Sequence, residues 1–406
     1  MQVLERLVVG QFSESFPPLM DGVGFVVKNY SELLLNKKHQ VYAIVSGSVA
    51  EEGYEYDRNH GIDYTIRSTM VPLPGISPYG IVVKNMEFRK EVREIEFDIL
   101  HTHAPFFLGR FAEQLNRHKQ IPLISTFHSL YKDDFYGFTH SHTMTEHLIR
   151  MILRHYNAAD EVWTPTEWSK RKLHGYGFDG EIQVVENGCD LPVPTAQEYR
   201  TYAEEGHRIV GVPKQIPLLL YIGQLKKEKN LELLIEALAI AHAQHSQFHM
   251  VFVGSGPDTA YFKRMIDDLQ LKSHVTFTGK ITDREQIKAL LAASSLFLFP
   301  SQYDTSALVL REAAAFSLPL LNTLGSSTAG VSTDNVNGFV AKNNAKDYGG
   351  RLVQLLGQPQ LCKNVGLEAN KTLYRNWSDV VDEVEQRYLE LKAKGPKAKK
   401  KRLSSR

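Results

Sequence analysis

Cysteine is scarce: the 406 residues include two, Cys189 and Cys362, too few for a disulfide framework or a cysteine-based zinc module. The compartment expected from this is a reducing one. Long apolar runs are missing as well. A membrane span needs roughly 20 apolar residues, and the longest stretches here are short ones such as Pro217 to Ile222 and Leu296 to Pro300. Met1-Gln-Val-Leu-Glu-Arg carries a charge pair where a secretion signal has its apolar stretch, so no signal is expected. The sequence also has no metalloprotease His-Glu-x-x-His, no Gly-x-Ser-x-Gly elbow, no P-loop lysine motif and no three-glycine dinucleotide fingerprint.

What is present is an ordinary globular composition, 43% apolar and 23% charged, in a chain too long for one core and suited to two. The formal net charge of +1 hides an asymmetry. Residues 392–406 hold eight basic side chains and no acid, which leaves −7 for the rest. Such a block is either a solvated, disordered tail or an attachment to an anionic membrane surface, the latter worth about 1 kcal/mol per basic residue. The acidic body argues against nucleic acid as a partner.

Short apolar segments alternate with amphipathic helical patterns along nearly the whole chain, the signature of parallel βα units. In the first half the spacing predicts strands at Leu7 to Gly10, Gln40 to Val45, Asp98 to His103 and Ile121 to His128, with a helix from Val26 to Leu35. The rhythm lapses between Pro192 and Ile216, read as a domain connection. It resumes with strands at Leu218 to Gly223, Met250 to Gly254, Val275 to Gly279 and Leu296 to Pro300, separated by helices at Leu231 to Ala243, Ala260 to Leu269 and Arg284 to Ala293, and followed by a helix at Leu308 to Phe316. Ligands of such sheets bind beyond the carboxyl ends of the strands, which directs attention to a few segments. Gly22 and Gly24 stand at the mouth of the first helix, as a structural turn or as an anion cradle built from backbone amides. Gly223-Gln-Leu-Lys-Lys-Glu-Lys-Asn is either an exposed charged loop or a place to neutralise a diphosphate. Asp304 and Glu312 flank an apolar helix start, as caps or as acceptors for vicinal sugar hydroxyls. The histidines His101, His103, His140, His142 and His147 suggest a metal, yet no compact carboxylate set accompanies them and no metal site is expected. His128 differs by ending a buried strand.

Taken in order, Pro17-Pro-Leu-Met-Asp-Gly-Val-Gly, His101-Thr-His-Ala-Pro-Phe, Ser125-Thr-Phe-His-Ser-Leu-Tyr, Val185-Glu-Asn-Gly-Cys-Asp, the lysine loop at Gly223, Val253-Gly-Ser-Gly-Pro and Asp304 through Ala315 resemble the retaining GT-B glycosyltransferases of the nucleotide-sugar-dependent family 4 group, which includes bacterial glycolipid and polysaccharide glucosyl- and mannosyltransferases. The likeness runs from about residue 5 to 392. It implies an α/β chain of two facing Rossmann-like domains: an acceptor-side domain over 1–195, a nucleotide-sugar domain over 196–373, a helix over 374–392 crossing back to the first domain, and a basic disordered tail over 393–406. It further implies that Gly22, and Gly24 beside it, approach the donor diphosphate, that His128 contacts the donor sugar, that Lys229 neutralises the diphosphate, that Glu312 binds ribose hydroxyls, and that Asp304 takes the first position of the family's Glu-x7-Glu signature.

By the same resemblance the chain moves a hexose from a nucleotide-diphosphate sugar, UDP-glucose as the first choice, to a lipid or saccharide acceptor. Anomeric configuration is retained, and neither a metal nor another cofactor takes part. It would work in the cytoplasm, with or without peripheral attachment at the inner membrane face. Three departures stand out. Gln224 replaces the usual arginine, a charge that Lys226 or Lys227 could supply and whose loss would otherwise weaken or abolish activity. Asp304 is one methylene shorter than glutamate, and no glutamate precedes Asn337-Gly338. They leave one alternative, a degenerate glycosyltransferase-like protein that binds nucleotide sugars or assembles with others without transferring.

Overall fold

The computed structural model of the chain describes residues 5–19, 21–47, 52–72, 80–82, 86–302, 304 and 306–397. It divides into two compact units, Met1–Asn187 with Trp377–Arg406, and Gly188–Asn376. In the first unit seven parallel strands, β1 (Val8–Ser13), β2 (Gln40–Ser46), β3 (Thr65–Ser68), β6 (Ile99–Thr102), β7 (Leu123–Thr126), β8 (Glu161–Thr164) and β9 (Ile182–Val184), stand in the order β3-β2-β1-β6-β7-β8-β9. A separate antiparallel pair, β4 (Met70–Pro72) and β5 (Gly80–Val82), lies between β3 and β6 in sequence. The second unit has β10 (Leu218–Ile222), β11 (His249–Val253), β12 (Val275–Gly279), β13 (Ser294–Phe299), β14 (Leu320–Thr323) and β15 (Phe339–Ala341) in the order β12-β11-β10-β13-β14-β15.

Both sheets are wound outward from a first strand and then restart on its other side, the order of a Rossmann-like domain. The direction of winding reverses between β1 and β6 in one unit and between β10 and β13 in the other. Crossovers on both sides open a crevice there at the carboxyl edge. The central strands read as continuous apolar runs because helices bury both their faces. Leu218, Leu219, Leu220 and Tyr221 of β10 are all fully buried, for example.

The final helix, Trp377–Lys394, belongs to the first unit, where its Val380, Val381, Val384 and Tyr388 are fully buried. Lys392 is engaged there by Glu5 and Asp98, each at 2.8 Å, and the Lys397 amide donates to Asp160. Residues 398–406, which hold most of the basic block, lie outside the described residues. Among the described residues no helix is long and apolar enough to cross a membrane.

One segment departs from the sequence reading. The stretch taken as an irregular connection holds a helix, Ala196–Val210, started by a reciprocal capping box between Thr195 and Glu198 and ended by Gly211 in the left-handed region. Its charged exposed face masks the helical period, while its inner side lies against helix Arg284–Ala293. The approach is close because Gly206 faces that neighbour: a Cβ added there would come within 2.2 Å of the Ala289 carbonyl oxygen. Gly206→Ala is therefore expected to cost about 1–3 kcal/mol by forcing the helices apart. A urea midpoint equal to that of the parent would contradict this packing.

Candidate functional site

In the first unit the segment after β1 leads to helix Gly22–Asn36, which starts four residues earlier than its apolar period suggested. The cause is Asp21, whose carboxylate caps the helix by accepting the Gly24 amide at 2.8 Å. Gly22 and Gly24 thus form the first turn of a helix and not a free loop. A Cβ at Gly22 would meet nothing within 4 Å, whereas one at Gly24 would press on Leu19, Phe16 and Ser15 at 3.2 Å. Gly24 is demanded by packing; Gly22 leaves open space beside a positive helix end.

His128 follows β7 by two residues and is buried, 7% exposed. Burial pulls its imidazole down to about 4, with the Asp21 carboxylate opposing, so the ring is neutral near pH 7. Strand alternation puts Gln11 of β1, His101 of β6 and Thr126 of β7 on one face, with His103 and His128 just past the ends of β6 and β7, since β1 pairs Gln11 with His101 and β6 pairs His101 with Ile124. His101 and His103, considered above for a metal, are instead fully buried members of a hydrogen-bonded row, and burial keeps both imidazoles well below their ordinary range. His140, His142 and His147 are exposed on another part of the unit. Among the described residues no group of three or more histidine, cysteine or acidic side chains is arranged to hold a metal ion.

Sequence reading did not single out Glu14, just past β1. Its Oε1 accepts the Leu108 amide at 2.7 Å at the start of helix Phe107–Lys119, and Oε2 is buried with no hydrogen-bond partner among the described residues. Burial raises this carboxyl to about 7. An acid one residue past a strand end was the available signal.

In the second unit the segments after β10 and β13, the two strands at the reversal, come together. Lys229 ends a short 3-10 turn, Lys227–Lys229, and its Nζ lies 2.6 Å from Asp304 Oδ1. Asp304 is held twice more, by the Ser301 hydroxyl on Oδ2 and the Ser327 hydroxyl on its carbonyl oxygen. Both side chains remain partly accessible, 16% and 19% exposed. An ammonium has three donors, so the pairing leaves Lys229 able to bind a second anion. Gln224 is exposed on the same loop. Lys227 turns away over the Tyr261 ring at 4.1 Å, while the Lys226 side chain has no ion-pair partner among the described residues. Across this edge Gly254, with φ +137°, lies so close to Gly223 that a Cβ on it would come within 1.9 Å of the Gly223 carbonyl oxygen. Only glycine permits that approach of the two loops.

Glu312 lies in helix Leu308–Ala315. Its Oε1 accepts from Arg284 Nη2 at 2.7 Å, and the same nitrogen donates to Asp190 at 2.7 Å. Burial raises the Glu312 carboxyl, with Arg284 opposing. Arg284 and Asp190 went unnoticed in the sequence because each is an unremarkable charged residue, and only the fold sets them against Glu312. With Oε1 engaged, Oε2 is the oxygen left to accept from hydroxyl groups.

Comparison with known proteins bears on the family and the fold. The Glycosyltransferase Family 4 profile matches residues 20–192 and that of Glycosyl transferases group 1 matches residues 203–372. Alpha-monoglucosyldiacylglycerol synthase of Acholeplasma laidlawii is 22% identical over 329 residues, 77% of this chain and 79% of that one. A GDP-mannose-dependent alpha-mannosyltransferase of Corynebacterium glutamicum is 24% identical over 346 residues, 84% of this chain and 78% of the relative. Among solved structures, Anabaena HepE in complex with UDP superposes with a TM-score of 0.74 at 16% identity, covering 95% of this chain and 100% of that one. Two Rossmann-like sheets, a last helix returned to the first of them, and two family profiles that divide the sequence between them lead to one conclusion: this chain is a glycosyltransferase of the GT-B fold, a member of the family 4 group.

Proposed function

We propose that this chain transfers a hexose, glucose from UDP-glucose in the first instance, to a hydroxyl group of a lipid or saccharide acceptor with retention of anomeric configuration and without a metal ion. The observation that carries the proposal is the lysine loop after the first strand of the second sheet: Lys229, fixed by Asp304 at 2.6 Å, ends a short turn that Lys226 precedes. Breaking the anomeric bond leaves negative charge on the departing nucleotide diphosphate. Ammonium groups held in place before the reaction stabilise that charge without reorganising. Glu312, kept near Arg284, accepts from the ribose hydroxyls through its second oxygen, and in the first unit Gly22 admits the diphosphate to the helix end while His128 meets the sugar.

The names of the relatives favour transfer over mere binding, as one is a glucosyldiacylglycerol synthase and another an alpha-mannosyltransferase that depends on GDP-mannose. GDP-mannose carries its sugar in the α configuration, so an α-mannosyl product preserves the configuration. In this reading a leaving-group oxygen removes the proton of the incoming hydroxyl on the same face of the sugar. The lipid option rests on the first of these relatives, and peripheral attachment at a membrane through the basic tail over 393–406 is part of that option.

A thermal-shift panel of nucleoside diphosphates and their sugars tests the donor. At about 100 times the dissociation constant, ligand binding adds about 2.7 kcal/mol, which gives a clear rise in Tm. UDP and UDP-glucose should raise it and release of UDP should follow when acceptor is added, with EDTA leaving the rate unchanged. Gln224→Arg should speed transfer about tenfold by restoring a fixed charge at the diphosphate. No shift with any nucleotide and no turnover would reject the proposal.

A further inference from the structure

In the first unit five hydrogen bonds join His128 to the final helix and beyond. His128 Nε2 lies 3.1 Å from His103 Nδ1, and His103 Nε2 lies 2.8 Å from Gln11 Oε1. Gln11 Nε2 donates to the Tyr388 hydroxyl at 3.0 Å, that hydroxyl lies 2.6 Å from His101 Nδ1, and His101 Nε2 lies 2.7 Å from Thr126 Oγ1. All six residues are buried, and Trp163 stacks on Tyr388 at 5.9 Å while Tyr30 packs against both His101 and His103. A buried row of this kind is stable only if each hydrogen has one acceptor.

That requirement, with the Gln11 amide placed oxygen toward His103 and nitrogen toward Tyr388, gives the row a direction. The Gln11 oxygen can only accept, so His103 carries its proton on Nε2 and has a bare Nδ1, to which His128 must donate from Nε2. At the other end the Gln11 amide donates to Tyr388, whose own proton then goes to His101 Nδ1, and His101 donates from Nε2 to Thr126. Every position is filled once, with all three imidazoles neutral.

We propose that Gln11, His103 and Tyr388 are positioning residues that hold His128, the side chain assigned above to the donor sugar, as the Nε2–H tautomer and so set what its ring presents to that sugar. The sugar contact rests on the function proposed above; the tautomer does not. Tyr388 comes from the helix that returns to this unit, so the last segment of the chain controls the chemistry of a side chain near its start.

The test is imidazole nitrogen NMR of the full-length protein labelled at histidine, paired with transfer kinetics. The parent should show His128 and His103 each protonated at Nε2 alone. Tyr388→Phe keeps the ring but removes the acceptor for the Gln11 amide, so Gln11 can turn over and reverse the His103–His128 bond. Both tautomers of His128 should then appear, and kcat should fall about tenfold, the worth of one hydrogen bond in the transition state, with KM for the donor little changed. Gln11→Glu supplies acceptors to both neighbours, so it should retain the His128 tautomer while moving the His101 proton to Nδ1. It also serves if Tyr388→Phe does not fold. A parent His128 protonated at Nδ1, a single unchanged tautomer in Tyr388→Phe, or a His128 altered by Gln11→Glu would overturn the positioning role. Mixed tautomers with an unchanged kcat would overturn the link between this row and the reaction. A protein with no transferase activity would refute the proposed function, and the nitrogen spectra would still decide the tautomer.

Discussion

Lys229→Ala should lower kcat/KM for sugar transfer by about 10²–10³, the usual effect of losing one preorganised group at a developing oxyanion. The substitution removes the ammonium proposed to meet the departing diphosphate, and it also releases the Asp304 carboxylate, 2.6 Å away, from its counter-ion. An unneutralised carboxylate at the same spot repels the diphosphate, so the double variant Lys229→Ala/Asp304→Ala should recover part of the loss. UDP binding should weaken in the single variant while uridine binding stays the same, because the nucleoside lacks the phosphates Lys229 addresses. Transfer rates within about threefold of the parent would show that the ammonium has no part in stabilising the leaving group.

The second large effect concerns stability. Arg67, on edge strand β3, is buried and donates to Asp57 from Nε at 2.6 Å and from Nη2 at 2.7 Å, with Thr65 completing the carboxylate's bonds. Its Nη2 also donates to the Pro17 carbonyl at 2.7 Å, fixing the segment that leads to Gly22. Arg67→Met should cost about 3–5 kcal/mol, since it strands a buried carboxylate without its partner. Arg67→Met/Asp57→Leu should regain most of that, because the desolvation cost of both charges disappears together. Equal destabilisation in the single and double variants, measured by denaturant unfolding, would mean that shape and not charge is what the pair contributes. If Arg67 also holds the Pro17 segment in place, the double variant will fold yet bind donor more weakly.

The strands of the second unit were legible because they are buried on both faces, where a run such as Leu218 to Ile222 has no polar position to interrupt it. Edge strand β3, Thr-Ile-Arg-Ser, offers no such run, and its buried arginine reads as a surface residue until Asp57 is known to face it. The helix at Ala196–Val210 was hidden by its charges, which belong to the side turned to solvent. Candidate site residues follow the same division. His128, Lys229, Asp304 and Glu312 were findable because each sits just past a strand or in the helix after it. Their partners were not: Asp304 is 75 residues from Lys229, Arg284 is 28 from Glu312, and Tyr388 is 377 from Gln11.

By itself, then, the order of residues determined the class of fold, the repeated βα rhythm and the segments able to carry chemistry, because burial pattern and local geometry act over a few neighbours along the chain. Which charge neutralises which, which oxygen of Glu312 stays available and which nitrogen of His128 bears the proton were decided only by the tertiary structure. Those properties belong to pairs of atoms about 3 Å apart, and proximity of that kind arises when strands and helices distant in the chain are packed side by side.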